Sequence, residues 1–208
     1  PGSTLKPFTV AVAIETGMVT PDTVIQTAPG QLAIGKATIH DAHPLGALTV
    51  AQVIQKSSNI GAAKMALALP SEVLWNMFQK VGFGAPPQSG FPGEVSGRLR
   101  PHASWRPIEQ ATMAYGHGIS LSLLQLARAY LVFASEGEIK SVTLVKRDTP
   151  VDSTRVITSG TALKVRRMLE MAVQPGGTAP LAQVPGYRVA GKTGTANKLE
   201  GPGYSTNK

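Results

Sequence analysis

Between residues 5 and 16, apolar side chains fall on every side of a helical wheel rather than along one stripe. A helix that is apolar all round is a buried one. The segment therefore predicts a central buried helix, with Pro7 tolerated in its first turn and Gly17 placed to end it. Residues 49–56 and 60–69 read as two more helices on either side of a polar break, Ser57-Ser58-Asn59. Residues 71–81 read as a Ser-capped, Gly-terminated helix. Residues 108–115 and 122–136 are amphipathic, and 159–173 carry a basic face at Lys164, Arg166 and Arg167. Met65, Met77, Met113, Met168 and Met171 recur at helical spacings and are expected in the core. Strand signals are sparser. Residues 139–146 alternate weakly, and 187–196 carry β-branched residues behind a Pro185-Gly186 entry. The Gly- and Pro-rich stretch 86–107 predicts a long loop bordering a cleft. There is no internal repeat and no low-complexity segment.

Composition narrows the class. At 208 residues the chain fits one domain. With 42% hydrophobic and 15% charged residues it can bury a core and is not a disordered chain. A net charge of +8 raises nucleic acid as a partner. Lys and Arg are scattered, however, with Lys146-Arg147 and Arg166-Arg167 as the longest basic pairs, and aromatics make up only 5%. The charge reads instead as a basic surface facing an anionic wall or membrane, and no nucleic-acid partner is expected. Without cysteine there is no disulfide framework and no thiolate metal site. No apolar run is long enough to span a membrane and no signal peptide is visible. His40, His43, His102 and His117 lack metal-ligand spacing, His40 and His43 being placed in a Pro-rich loop. No metal or cofactor is expected.

Three short motifs carry the chemistry: Ser3-Thr4-Leu5-Lys6, Ser57-Ser58-Asn59 and Lys192-Thr193-Gly194. Serine attacks an acyl carbon only if its proton can leave, so a base must stand within hydrogen-bond reach. Residues i and i+3 of a helix share a face, which folds the Lys6 amine back over the Ser3 hydroxyl. A lysine is a base only when neutral, so its pKa must fall from about 10.4. Burial and a nearby cation both lower it, and Lys192 is the candidate cation. Read alone, Ser3 and Lys6 are a helix cap and a solvated lysine; the other two motifs reverse that reading. Ser57 and Asn59, two apart, suit a turn or a frayed helix end. There Ser57 can relay a proton between Lys6 and a leaving group, while Asn59 can orient Lys6 or bind a substrate amide. The same residues can cap the helix that follows, and both readings hold if Ser58 or Asn59 caps while Ser57 works.

In the third motif, Lys192 with the Thr193 or Thr195 hydroxyl can hold a carboxylate, and Gly194 permits close backbone approach. An acyl substrate can lie along the strand edge, with the Thr195 and Ser3 N–H groups as an oxyanion hole. Gly186, Gly191, Lys192 and Thr193 also have the spacing of a phosphate loop. Their filler is bulky and strand-like where a phosphate cradle needs a turn, so nucleotide binding is set aside. Glu72 and Asn76 lie one turn apart on a predicted helix and read as surface residues rather than a water-activating pair. His117, between Gly116 and Gly118, reads as part of a tight turn beside the cleft and as a candidate substrate contact.

The motif set resembles that of penicillin-binding proteins and class A β-lactamases. Residues 1–8 are similar to the active-site segment of class B penicillin-binding proteins. Residues 53–61, 81–84, 90–94, 115–120, 124–130, 175–178 and 184–196 resemble the cell-division members, septal peptidoglycan D,D-transpeptidases of the penicillin-binding protein 3 type. The resemblance covers nearly the whole chain. It implies the α/β (α+β) transpeptidase fold shared with serine β-lactamases, here dominated by its helical part with an incomplete antiparallel sheet. It implies that Ser3 is the acylated nucleophile and Lys6 its base, that Ser57 and Asn59 form the second motif, and that Lys192, Thr193 and Gly194 form the third, next to Thr195. The substrates implied are peptidoglycan stem peptides, and the inhibitors β-lactams. The implied partners are divisome membrane proteins, including the septal glycosyltransferase. The implied location is the bacterial inner membrane, with the catalytic domain in the periplasm. A serine β-lactamase or D,D-carboxypeptidase, or a β-lactam sensor without turnover, are the alternatives on the same fold. Members also draw sheet strands from before the first motif and after the third, and carry an anchor and an N-terminal module. Residues 1–208 are therefore expected to be a partial transpeptidase domain, loosely packed and weakly active alone.

Overall fold

A helix without a polar face needs neighbours on every side, and the computed structural model supplies them. The structure describes residues 1–195, 199–200 and 203–204. After a 3-10 turn at Gly2–Leu5, α1 (Lys6–Glu15) is buried continuously from Lys6 to Ile14. A Schellman motif ends it: Gly17, at φ 73°, donates to the Ile14 carbonyl at 2.9 Å, and Met18 donates to the Ala13 carbonyl at 3.1 Å. The other helices are α2 (Val50–Lys56), α3 (Asn59–Leu67), α4 (Ser71–Lys80), α5 (Pro107–Met113), α6 (Leu123–Ala134) and α7 (Ser159–Val173). α1 packs against α3, α4 and α7, while α2 lies against α7 and α5 against α3. Phe8 is fully buried, with its ring 5.4 Å from Phe83, 5.4 Å from Tyr130 and 5.0 Å from Phe133. Burying one such side chain stabilises the fold by roughly 1.5–3 kcal/mol, and this cluster anchors the first turn of α1, which holds Lys6 and follows directly on the 3-10 turn of Ser3.

Local chemistry sets most helix starts. Thr49 and Ser122 form capping boxes with Gln52 and Gln125, and Thr158 caps α7. The Glu15 carboxylate accepts from the Thr158 N–H at 2.9 Å and hydroxyl at 3.0 Å, tying the end of α1 to the start of α7. α4 differs from expectation. Pro70 is its N-cap and Ser71 its first residue, with no side-chain cap bond. Four of the five predicted core methionines are buried; Met171 is only half-buried.

The strands differ most from the sequence pattern. Between Gly17 and Thr49 the sequence pattern predicts no element, yet two antiparallel pairs form there. β1 (Val24–Gln26) pairs with β4 (Ala47–Thr49), and β2 (Gln31–Ile34) with β3 (Ala37–His40). His40 is thus a strand residue rather than a loop residue. The predicted strand 139–146 shortens to β5 (Glu138–Lys140), paired with β6 (Ser153–Arg155). Leu144 and Val145, at 63% and 72% exposure, are adjacent and cannot both face one side of a sheet. A last pair joins β7 (Leu199–Glu200) to β8 (Gly203–Tyr204).

The predicted strand 187–196 forms no ladder over its described part, 187–195; Ala196 lies outside the described residues. Gly191 donates to the Leu169 carbonyl at 3.2 Å, so the segment runs extended against α7. A strand exists only with a partner alongside it, and among the described residues none flanks this one. The expected long loop is present at residues 86–106. The buried Gln125 holds it, donating to the Ala85 and Ser96 carbonyls at 2.8 Å each.

Candidate active site

The first turn of α1, the α2–α3 break and the extended third-motif segment meet at Lys6. Its side chain is 0% exposed, and its Nζ donates to Ser3 Oγ at 2.7 Å, to the Ser57 carbonyl at 2.6 Å and to Ser57 Oγ at 3.1 Å. Lys192 Nζ reaches the same hydroxyl from the other side, at 2.7 Å. The four side chains form one continuous hydrogen-bonded chain. An ammonium buried this way loses hydration, and the cheaper outcome is to shed its proton. Burial first, and then the Lys192 charge, hold Lys6 well below an ordinary lysine's pKa, while Asp41 pulls the other way. Lys192 is pushed down to about 8 by burial.

Ser57 closes α2 in the left-handed conformation, φ 60° and ψ 39°, where a glycine would be the usual residue. That geometry turns both its carbonyl and its hydroxyl toward Lys6. Ser58 then caps α3, accepting from the Gly61 N–H at 2.9 Å. The capping and functional readings of the second motif therefore coexist. Asn59 departs from one expectation. Its amide donates to the His40 carbonyl at 2.9 Å rather than contacting Lys6, so it does not orient that amine.

In the third motif, Thr193 shares a hydrogen bond with Thr178 at 2.8 Å, and Lys192 Nζ lies 3.3 Å from the Thr193 hydroxyl. Lys56 donates to the Gly176 carbonyl at 2.7 Å, which steadies the loop that carries Thr178. Gly194 packs onto the turn that carries Ser3. A methyl group there would lie 2.8 Å from Thr4 Cγ2 and 3.0 Å from the Pro1 carbonyl. Gly2, at φ 59°, lies against the Thr195 carbonyl so closely that a side chain would collide with it. Thr195 itself is exposed. All eight residues singled out from the sequence thus lie at or beside this one site.

A family model described as the penicillin-binding protein transpeptidase domain matches residues 1–208. The chain belongs to the penicillin-binding protein transpeptidase family. Its fold closely matches the apo transpeptidase domain of penicillin-binding protein 3 from Burkholderia pseudomallei, with a TM-score of 0.95 and 52% identity over 99% of this chain and 62% of that one. All of the chain aligns at 42% identity with 52% of a probable peptidoglycan D,D-transpeptidase PenA of Neisseria flavescens. It aligns at 38% identity with 35% of the peptidoglycan D,D-transpeptidase FtsI of Escherichia coli K12. The chain spans about half or less of the length of these curated relatives.

Of the other residues raised from the sequence of this transpeptidase domain, Glu72 lies on the surface and His117 lies near Lys6. Glu72 is exposed on α4, as expected of a surface residue. His117 is half-buried, with its ring 5.1 Å from Tyr115. Burial, then the charges of the chain's amino group and of Lys6, lower its pKa. Sequence reasoning missed three supports of the site. Tyr130 donates to the Thr4 carbonyl at 2.8 Å, Gly2 donates to the Gly116 carbonyl at 3.3 Å, and Asp41 grips the second motif. Nothing near them in the chain signals these contacts.

The left-handed Ser57 yields a direct test. Both Ser57→Ala and Ser57→Gly remove the hydroxyl, and only glycine relieves the backbone, a cost of about 1–2 kcal/mol for other residues. Glycine's larger unfolded-state entropy takes back part of that gain. Urea melts should therefore place Ser57→Gly above Ser57→Ala by about 0.5–1 kcal/mol, with acylation slowed to a similar degree in both. Equal stabilities would mean that the left-handed geometry costs nothing here.

Proposed function

We propose that this domain is the acyl-transfer part of a serine D,D-transpeptidase acting on peptidoglycan stem peptides and acylated by β-lactams. The observation that carries the reading is the unbroken Ser3–Lys6–Ser57–Lys192 hydrogen-bond chain, at 2.7, 3.1 and 2.7 Å. Neutral Lys6 takes the Ser3 proton along the 2.7 Å contact as Ser3 Oγ bonds to the carbonyl carbon of the penultimate D-alanine. The C–N bond to the terminal D-alanine then breaks. A serine hydroxyl has two acceptor sites and one donor. With Lys6 and Lys192 filling the acceptor sites, the Ser57 proton is free for the leaving amine, and Lys6 restores it. An acceptor amine attacks the Ser3 ester next, returning its proton through the same groups. Lys192 with Thr193 and Thr195 holds the substrate carboxylate, Gly194 lets it approach, Asn59 takes a substrate amide, and the Thr195 and Ser3 N–H groups stabilise the oxyanion. Divisome membrane partners, including the septal glycosyltransferase, and a periplasmic site at the inner membrane belong to the same proposal. No helix among the described residues is long and apolar enough to cross a membrane.

The test is acyl transfer from a peptide ending in D-alanyl-D-alanine to an added amine. Release of D-alanine with a transfer product exceeding hydrolysis is expected. Hydrolysis alone would favour a carboxypeptidase or β-lactamase.

The two lysines also set the pH dependence. Lys6 must be neutral and Lys192 charged. Acylation by a penicillin should therefore rise as Lys6 loses its proton, well below an ordinary lysine's range, and fall as Lys192 deprotonates near pH 8. The second-order rate constant reads these values in the free enzyme. The alkaline fall should disappear for an ester substrate without a carboxylate. A profile flat through pH 8 with both substrates would remove the carboxylate role from Lys192.

A further inference from the structure

We propose that Asp41, outside all three motifs, is a positioning residue for this site: its carboxylate fixes the second motif and acts on the buried Lys6 amine as a counter-charge. The proposal rests on the acyl-transfer reading above. Asp41 directly follows β3. One carboxylate oxygen accepts from the Asn59 and Ile60 N–H groups at 2.5 and 3.1 Å, and the other accepts from the Ser58 hydroxyl at 2.7 Å. The neighbouring His40 carbonyl takes the Asn59 amide, and the Asp41 N–H donates to the Gly30 carbonyl at 3.2 Å. The end of β3 therefore holds residues 58–60 by both backbone and side chain.

Capping alone does not call for this. Ser58 already caps α3, and the two N–H groups at Asn59 and Ile60 lie at the first turn, where water can also serve them. What the grip secures is Ser57, the preceding residue, in a backbone conformation that persists only when its surroundings over-determine it. Asp41 holds the chain just after Ser57, and Lys6 and Lys192 hold Ser57 itself.

The second effect is electrostatic. Four charged or titratable side chains lie around Lys6: Lys192 from the extended third motif, Tyr115, with its ring 6.0 Å from Lys6 Nζ, and His117 from the segment after α5, and Asp41 from the end of β3. Burial and Lys192 favour the neutral amine, and Asp41 favours the charged one. A group that must take the Ser3 proton and then return it works best with a pKa near the operating pH. Asp41 keeps Lys6 from becoming too weak a base to take that proton.

Charge and grip are separable. Asp41→Asn keeps an acceptor oxygen and removes the charge; Asp41→Ala removes both; Asp41→Glu keeps the charge. The readouts are the pH profile of fluorescent-penicillin acylation and a 13C NMR titration of Lys6 in lysine-labelled protein. In Asp41→Asn, both the acid limb and the Lys6 titration should move to lower pH by about 0.5 or more. In Asp41→Glu they should stay in place. In Asp41→Ala the limb should move likewise, and the plateau rate should drop roughly 10- to 100-fold, the range for a misplaced reacting group. A folded Asp41→Asn protein with its limb and titration unmoved or raised would overturn the counter-charge role. Wild-type acylation rates in Asp41→Ala would overturn the positioning role. Failure of the wild-type protein to label at Ser3 would instead overturn the acyl-transfer reading.

Discussion

Ser3→Ala protein is expected to take up no fluorescent penicillin covalently while melting close to the wild type. Ser3 sits in a 3-10 turn held by bonds that do not involve its own hydroxyl. The Thr4 hydroxyl donates to the Pro1 carbonyl at 2.8 Å, Tyr130 donates to the Thr4 carbonyl at 2.8 Å, and Gly2 donates to the Gly116 carbonyl at 3.3 Å. The Ser3 hydroxyl gives up one bond, from Lys6, and Lys6 retains two partners at Ser57. A neutral amine or the nearby Ser57 hydroxyl is no substitute nucleophile for a substrate lying over Ser3. Residual labelling mapped to another residue of the folded variant would mean that the nucleophile lies elsewhere.

Lys6→Met should be the second largest loss. Methionine fills a similar buried volume without a charge, so the fold should tolerate it. Acylation should slow by about 100-fold or more, the usual range for losing a general base, equivalent to about 2.7 kcal/mol of transition-state stabilisation. The melting temperature should stay within about 4 °C, the span of roughly 1 kcal/mol in a domain of this size. The Ser57 carbonyl loses its Lys6 donor in this variant, which offsets part of what removing a buried amine gains. Loss of fold and activity together would make Lys6 a structural residue; near-normal acylation in a folded protein would remove it as the base.

How much of this was legible depends on distance along the chain. Ser3 and Lys6 are three apart, and helical geometry alone folds the amine back over the hydroxyl. The buried α1 was legible because its apolar residues fill every face, and its end because Gly17 supplies the left-handed residue a Schellman turn needs. Ser57 and Lys192 meet only through tertiary packing, so their juxtaposition rested on the motif set rather than on any local rule. β1 and β4 escaped because three residues each are too few to show a period. The segment through Val189 and Thr195 has strand-forming side chains, but a ladder is a property of two chains and not of one. Asp41 escaped for the same reason. Its partners Ser58, Asn59 and Ile60 lie 17 to 19 residues away, and in sequence it is one acidic residue between two histidines and an alanine. Pro70 displaced Ser71 as the α4 cap by a single position, which pattern reading does not resolve.

Under the proposed mechanism Ser3 forms an acyl ester that is expected to be long-lived, since Glu72, exposed on α4, is not placed to activate water against it. Time-resolved intact-mass measurement of the protein after mixing with penicillin, followed by peptide mapping, tests it most directly. One adduct is expected, on the peptide bearing Ser3, persisting for hours. An adduct on any other residue, or one on Ser3 that clears within seconds, would contradict it.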